Sequence, residues 1–105
     1  MGGCEMRATS LLTLIVPAGL EETLIDWLLE HSSSSGFCSG PINSHSANHG
    51  TLTVAEQVSG RQRQIRFEVQ VREEEVDQML ERLRGDFAGA SIRFWVVPMQ
   101  ECGKI

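Results

Sequence analysis

The sequence predicts an α+β fold in which four strands and two helices follow one another as βαββαβ. Three observations predict this order. An apolar run, LLTLIV, is followed at once by an amphipathic helical pattern. Further along, IRFEVQVR alternates strictly between apolar and polar residues, and a second helical pattern follows it. A last short apolar segment, IRFWVVPM, supplies another strand.

The first strand and the first helix are separated by a proline. Residues 11–16 are apolar on both sides, which is typical of a strand buried on both faces, and Pro17 ends it because proline cannot donate to a ladder. Glu21 and Glu22 suit the positive end of the helix that follows. One face of this helix is formed by Leu20, Leu24, Trp27, Leu28 and His31.

The second half of the chain repeats the pattern of strand and helix. Ile65, Phe67, Val69 and Val71 alternate with polar residues, so one side of this strand faces a core. The second helix begins after three glutamates. Its apolar face is formed by Val76, Met79, Leu80, Leu83 and Phe87. Residues 36–44 are predicted to be the second strand of the βαββαβ order. We expect this strand to be irregular, since its apolar and polar residues alternate poorly.

This order matches the ferredoxin-like motif, with two helices on one face of a four-stranded antiparallel sheet. In the last strand, Trp95, Val97 and Met99 place apolar surface on the opposite side, and Pro98 favours a sheet edge. Large exposed apolar patches are rare on monomers, so we expect this face to form the interface of a cyclic homo-oligomer. The 105 residues are expected to form one domain, with residues 1–9 and 102–105 as flexible tails.

Composition excludes several classes of protein. A net charge of −5 argues against a nucleic-acid partner. The run at residues 11–16 is too short to span a bilayer and no positively charged leader precedes it, so we expect a cytoplasmic protein without membrane insertion. Cys4, Cys38 and Cys102 lack the CxxC spacing of structural zinc sites and are expected to be reduced.

Other functions of this fold leave signatures that the chain lacks. An RNA-recognition module needs stacking aromatics and a basic surface, but the third strand offers Arg66, Glu68 and Gln70. The junction of the first strand and first helix has neither the CxxC of a metal chaperone nor the arginine of an acylphosphatase. No nucleophile stands beside a base, so we expect no enzyme. An amino-acid-binding regulatory domain stays open as an alternative.

The segment between residues 36 and 63 holds the candidate site. Cys38, His45 and His49 combine thiolate and imidazole, which suit Cu, Zn or Ni ions. Serine, asparagine and glycine around the histidines indicate a turn, in which the spacing has no fixed geometry. The alternative is that both histidines are simply exposed polar residues of a loop.

The same segment offers a second set of ligand-binding residues, for an anion. These are Glu56, Gln57, Gly60, Arg61 and Arg63. A glycine lets the backbone approach an anion, and an arginine can then bind it with two hydrogen bonds. The alternative is a set of solvated charges, or ion pairs between subunits.

Four segments carry a resemblance to a known family: LLTLIVPAGLEETLIDWLLEH, GFCSGPINSHSANHG, AEQVSGRQRQIRFEVQV and IRFWVVPM. From Leu11 to Glu101 the chain resembles the PII-like superfamily, which includes the nitrogen-regulatory PII and the CutA-like proteins. Within it, the chain is similar to a small uncharacterised branch whose genes tend to sit beside heavy-metal efflux systems. The most specific piece is the loop that contains His45, His49, Glu56, Gln57, Val58, Gly60 and Arg61.

The resemblance implies a trimeric signalling protein whose connection between the second and third strands contacts the ligand. PII relatives bind adenine nucleotides between subunits and CutA-like proteins bind metal ions, so it implies either ligand. It also implies a membrane efflux protein as the regulated partner. The chain departs from other PII proteins in its shorter connection and in lacking their extended basic C-terminal segment. We therefore expect a metal sensor first and a nucleotide sensor second. The third alternative is a weak enzyme or an interaction scaffold without a small ligand.

Overall fold

A computed structural model of the protein describes residues 9–31, 36–45 and 62–105. It confirms the predicted order of four strands and two helices. The elements are β1 (Thr9–Pro17), α1 (Glu21–His31), β2 (Phe37–Ser44), β3 (Gln62–Arg72), α2 (Val76–Asp86) and β4 (Arg93–Pro98). Single 3₁₀ turns, Ala18–Leu20 and Glu73–Glu75, lead into the two helices. Residues 99–105 contain neither helix nor strand.

The four strands form one antiparallel sheet in the order β2-β3-β1-β4. The first and third strands therefore lie in the centre, and the second and fourth lie at the edges. This is the predicted ferredoxin-like α+β fold. Pro98 ends the edge strand β4, as its missing N–H predicts.

The main hydrophobic core lies between the helices and one face of the sheet. Strands β1 and β3 direct every second side chain into it, as the alternation of Ile65 to Val71 predicts. The core residues are Leu12, Leu14, Val16, Leu24, Trp27, Leu28, Ile65, Phe67, Val69, Val71, Met79 and Leu83. Both helices therefore cover the same face of the sheet.

One hydrogen bond ties α1 to the end of α2. Trp27 is buried in the core, and its Nε1 donates to Asp86 Oδ2 over 2.7 Å. The indole also contacts the rings of His31 and Phe87, with centroids 4.7 Å and 5.8 Å away. His31 thus lies on the core side of α1, as its spacing predicts.

The start of β1 differs from the prediction. The sequence places Thr9 in the N-terminal tail, whereas the structure makes it the first residue of β1, paired with Arg72. Its carbonyl oxygen also accepts a hydrogen bond from the backbone N–H of Met99 over 3.0 Å. The strand begins early because partners on both sides satisfy its backbone.

The strand predicted at residues 36–44 is confirmed as β2, and its pairing is more regular than its sequence indicates. All eight residues of this strand pair with β3 in unbroken register, including Gly40 opposite Arg66 and Pro41 opposite Ile65. An edge strand tolerates a proline because one side of its backbone has no ladder to join. Its alternation is poor because only Phe37, which is half-buried, packs against the core.

We call the other side of the sheet the open face. Register places on it Leu11, Thr13 and Ile15 of β1, Cys38 of β2, Arg66, Glu68 and Gln70 of β3, and Arg93, Trp95 and Val97 of β4. The core between helices and sheet includes none of these side chains. Ile15 is nevertheless buried, and in register it lies between Arg66 and Arg93.

Within the described ranges, no helix combines the length and the apolarity that crossing a membrane requires.

Candidate functional site

Strands β2 and β3 bring the two ends of the segment 46–61 together. Asn43 pairs with Arg63 and Ser44 pairs with Gln62, and His45 directly follows this last pair. His45 and Arg63 are both exposed. An imidazole and a guanidinium group, one from each predicted set of ligands, therefore lie at the same end of the hairpin.

A side-chain hydrogen bond supports this end of the hairpin. The Ser44 hydroxyl donates to Oε1 of Gln64, which is one of the few buried polar side chains of the sheet. The bond joins the last residue of β2 to the third residue of β3. It holds the two strands in register where the connecting segment leaves the sheet.

The geometry of β2 corrects the predicted metal set. Cys38 and His45 are seven residues apart along an extended strand, which at about 3.3 Å per residue separates them by about 23 Å. Ligands of one ion lie within about 5 Å of each other, given bonds of about 2.0–2.3 Å. Cys38 and His45 of the same chain therefore cannot bind the same ion.

Most of the remaining predicted ligands lie outside the described residues. These are His49, Glu56, Gln57, Gly60 and Arg61. In the described part of the chain, no group of three or more His, Cys, Asp or Glu side chains is arranged to hold a metal ion.

Cys38 lies instead on the open face, in a depression of ≈ 390 Å³ near the β2 edge. Its register partner is Glu68, and Arg66 Nη1 lies 3.8 Å from Glu68 Oε2. The thiol is free and exposed. The sequence places Arg66 and Glu68 on one polar face of a strand, but it does not show that they pair beside Cys38.

Cys102 is also a free thiol and is half-buried, whereas Cys4 lies outside the described residues.

The predicted interface residues form the apolar part of the open face. Trp95 is 45% exposed and Val97 is 48% exposed, and in register they lie beside Thr13 and Leu11 of β1. Met99 follows the end of β4 and is half-buried. The open face therefore has a polar half along β3 and β2 and an apolar half along β4.

Comparison with known protein families shows which family the chain belongs to. A model of the family described as "Protein of unknown function (DUF3240)" matches residues 6–105. The chain belongs to the DUF3240 family. A comparison with curated proteins found no match.

Solved structures with the same fold come from several organisms. A DUF3240 family protein from Shewanella baltica OS155 superposes with a TM-score of 0.77 at 23% identity, over 95% of this chain and 99% of that one. CPII, a nitrogen regulatory PII-like protein from Thiomonas intermedia K12, gives 0.66 at 21% identity, over 90% and 94%. CutA from Archaeoglobus fulgidus, a periplasmic divalent cation tolerance protein, gives 0.68 at 14% identity, over 91% and 88%.

These likenesses concern the fold. They confirm that this DUF3240 chain shares its architecture with the PII-like and CutA proteins, as the sequence resemblance implies. The CPII structure contains ADP, AMP and bicarbonate. A PII-like architecture thus occurs in a nucleotide-bound protein and in a protein of cation tolerance.

Proposed function

We propose that this protein is a PII-like regulator that senses a transition-metal ion at the β2–β3 end of the sheet. The observation that carries the proposal is the exposed His45, which directly follows the last residue of β2, with His49 four residues further along the sequence. The pairing of Ser44 with Gln62 holds the backbone that leads directly into His45. A bound ion at this point would alter the segment that joins the two strands.

The donor chemistry supports Cu, Zn or Ni as the ion. Imidazole is a good ligand for all three, and such ions take about four donors. Cys38 of the same chain is out of reach, so water or donors from another subunit complete the set. The fold likeness to a divalent cation tolerance protein supports the same ligand class. The regulated partner in this proposal is a membrane protein of metal efflux, which rests on the family resemblance alone.

Calorimetric titration with Zn²⁺, Ni²⁺ and Cu⁺ tests the metal site. We expect the double variant His45→Ala/His49→Ala to bind at least about 100-fold more weakly than the wild type. If water completes the ligands, Cys38→Ser should bind as the wild type does, because Cys38 of the same chain is about 23 Å from His45 along the backbone. Weaker binding by Cys38→Ser would assign the remaining donor to Cys38 of another subunit. His31→Gln is the matched control, since this third histidine packs against Trp27 on α1. Identical titrations for the double variant and the wild type would rule out the metal site.

An adenine nucleotide is the second candidate ligand. Arg63 is exposed at the same end of the hairpin as His45, and Arg61 precedes it by two residues. A PII-like protein with the same fold contains ADP and AMP. Two guanidinium groups near a glycine suit a phosphate chain.

Titration with ADP and AMP separates this candidate from the first. If nucleotide binds here, Arg61→Ala and Arg63→Ala should each weaken binding by about tenfold or more, since each removes a charge-assisted hydrogen bond. Arg72→Ala, at the opposite end of β3, should leave it unchanged. Equal affinity in all three variants would exclude the hairpin as the nucleotide site.

A further inference from the structure

A second cavity, of ≈ 240 Å³, lies on the helix-covered side at the β4 edge, beneath the turn that joins α2 to β4. Its apolar lining consists of Leu14, Leu80, Leu83, Phe87, Ala88, Ile92 and Phe94. Leu14 is 1% exposed and Phe94 is 42% exposed, so the cavity has a buried base and a mouth that opens to solvent. The predicted core did not include a cavity, because periodicity identifies core residues but not gaps between them.

Arg84 stands at the mouth of this cavity. Its guanidinium carbon lies 5.6 Å from the centroid of the Phe94 ring, which holds the cation against one wall. Among the residues that the structure describes, no carboxylate oxygen lies within 4.0 Å of this guanidinium. Asp86, two residues further along, instead accepts the Trp27 hydrogen bond. The mouth therefore carries a guanidinium group that forms no ion pair with any carboxylate of the described residues.

The turn above the cavity has an unusual backbone. Gly89 has a φ of 80° and Ser91 has a φ of 60°. Both residues line the cavity. Serine rarely adopts this left-handed conformation, and such residues are concentrated at ligand-binding positions and active sites. Among the described residues, the one non-glycine position with a positive φ therefore lies in the wall of this cavity.

We propose that this cavity binds a small carboxylate whose apolar body is about the size of one aromatic ring. The apolar base would take the ring, since an apolar cavity of about 150 Å³ is enough for benzene. Arg84 at the mouth would pair with the carboxylate. The site is separate from the proposed metal site, because the β4 and β2 edges are three strand spacings apart, or about 14 Å.

The test uses phenylacetate as the probe and follows the methyl resonances of Leu80, Leu83 and Ile92 by NMR. We expect saturable shifts at these three residues in the wild type. Arg84→Gln should raise the dissociation constant about tenfold, because the charge-assisted hydrogen bond is lost. Arg82→Gln, a neighbouring exposed arginine on α2 that does not line the cavity, should leave it unchanged. The neutral phenylacetamide should bind about as weakly as phenylacetate binds to Arg84→Gln.

Several results would overturn the proposal. An absence of shifts at the cavity methyl groups would show that the ring does not enter. Equal effects of Arg84→Gln and Arg82→Gln, or equal affinity for the acid and the amide, would remove the role of Arg84. If these methyl resonances shift on dilution of the protein and not on addition of the probe, a second copy of the chain occupies the cavity. Because no metal is present in this experiment, its outcome is independent of the metal site.

Discussion

Gly85 and Gly89 are four residues apart, but only Gly89 has a backbone conformation that favours glycine. Gly85 lies in the last turn of α2, and a Cβ built on it meets nothing within 4 Å. Gly89 also has open space around its Cα, but its φ of 80° is a conformation that L side chains rarely adopt. Space alone therefore does not distinguish the two glycines, and the backbone angle does.

These conformations predict opposite effects of the same substitution. Gly85→Ala should raise the free energy of unfolding by about 0.5–1 kcal/mol, because alanine favours the helix and restricts the unfolded chain. Gly89→Ala should lower it by about 1 kcal/mol, because its Cβ is strained at positive φ. Urea denaturation followed by circular dichroism measures both. A change of the same sign in the two variants would contradict the backbone described for this turn.

At the scale of the element, α1 shows how strictly one face of a helix is used. Leu28 is 0% exposed, whereas the next residue, Leu29, is 70% exposed. Leu28 packs in the core with Leu24, one turn earlier on the same face, and with the preceding residue Trp27. The two residues have the same side chain, but Leu28 points into the core and Leu29 points to solvent.

This difference predicts the energetics of the helix. Leu28→Ala should lower the free energy of unfolding by about 2–4 kcal/mol, because it removes buried methyl groups and leaves a cavity. Leu29→Ala should change it by no more than about 0.5 kcal/mol. Thermal and urea unfolding of the two variants provide the measurement. Similar losses in both would mean that α1 is rotated relative to the sheet, or that Leu29 is covered by another subunit.

At the scale of the whole molecule, the two faces of the sheet differ in how much of their surface is covered. One face is covered by α1 and α2, and the open face carries exposed Trp95 and Val97 beside half-buried Leu11. Burying such a patch is favourable by about 25 cal/mol for each Å² of apolar surface. We propose that the open face is the interface of a homo-oligomer, for which a trimer is the expected state.

Light scattering at micromolar concentration tests this assembly. The wild type should have at least twice the 11.6 kDa mass of one chain, and about 35 kDa if it is a trimer. Val97→Asp should shift the protein to the monomer, since it would bury a charge without a partner. Leu29→Asp is the matched control on the helix side and should leave the mass unchanged. A monomeric wild type would contradict the assignment of the open face.

Local periodicity was sufficient to predict both helices and the strands β1, β3 and β4 in their order. The helical spacing of Leu24 and Leu28, and the alternation from Ile65 to Val71, arise from geometry within a single element. The edge position of Pro98 follows in the same way, since it depends on one missing N–H. The apolar character of Trp95 and Val97 on the open face could likewise be read from the alternation of β4.

Features that join distant segments could not be predicted from local patterns. Strand β2 is regular because it pairs with β3, not because its own residues alternate, and this regularity carries Cys38 away from His45. The Trp27–Asp86 hydrogen bond spans 59 residues, and the cavity beside Arg84 lies where α2, β1 and β4 meet. Residues so far apart in the chain leave no shared period in the sequence. Periodicity therefore predicts which way each side chain points, whereas cross-strand pairing and helix packing establish which side chains meet.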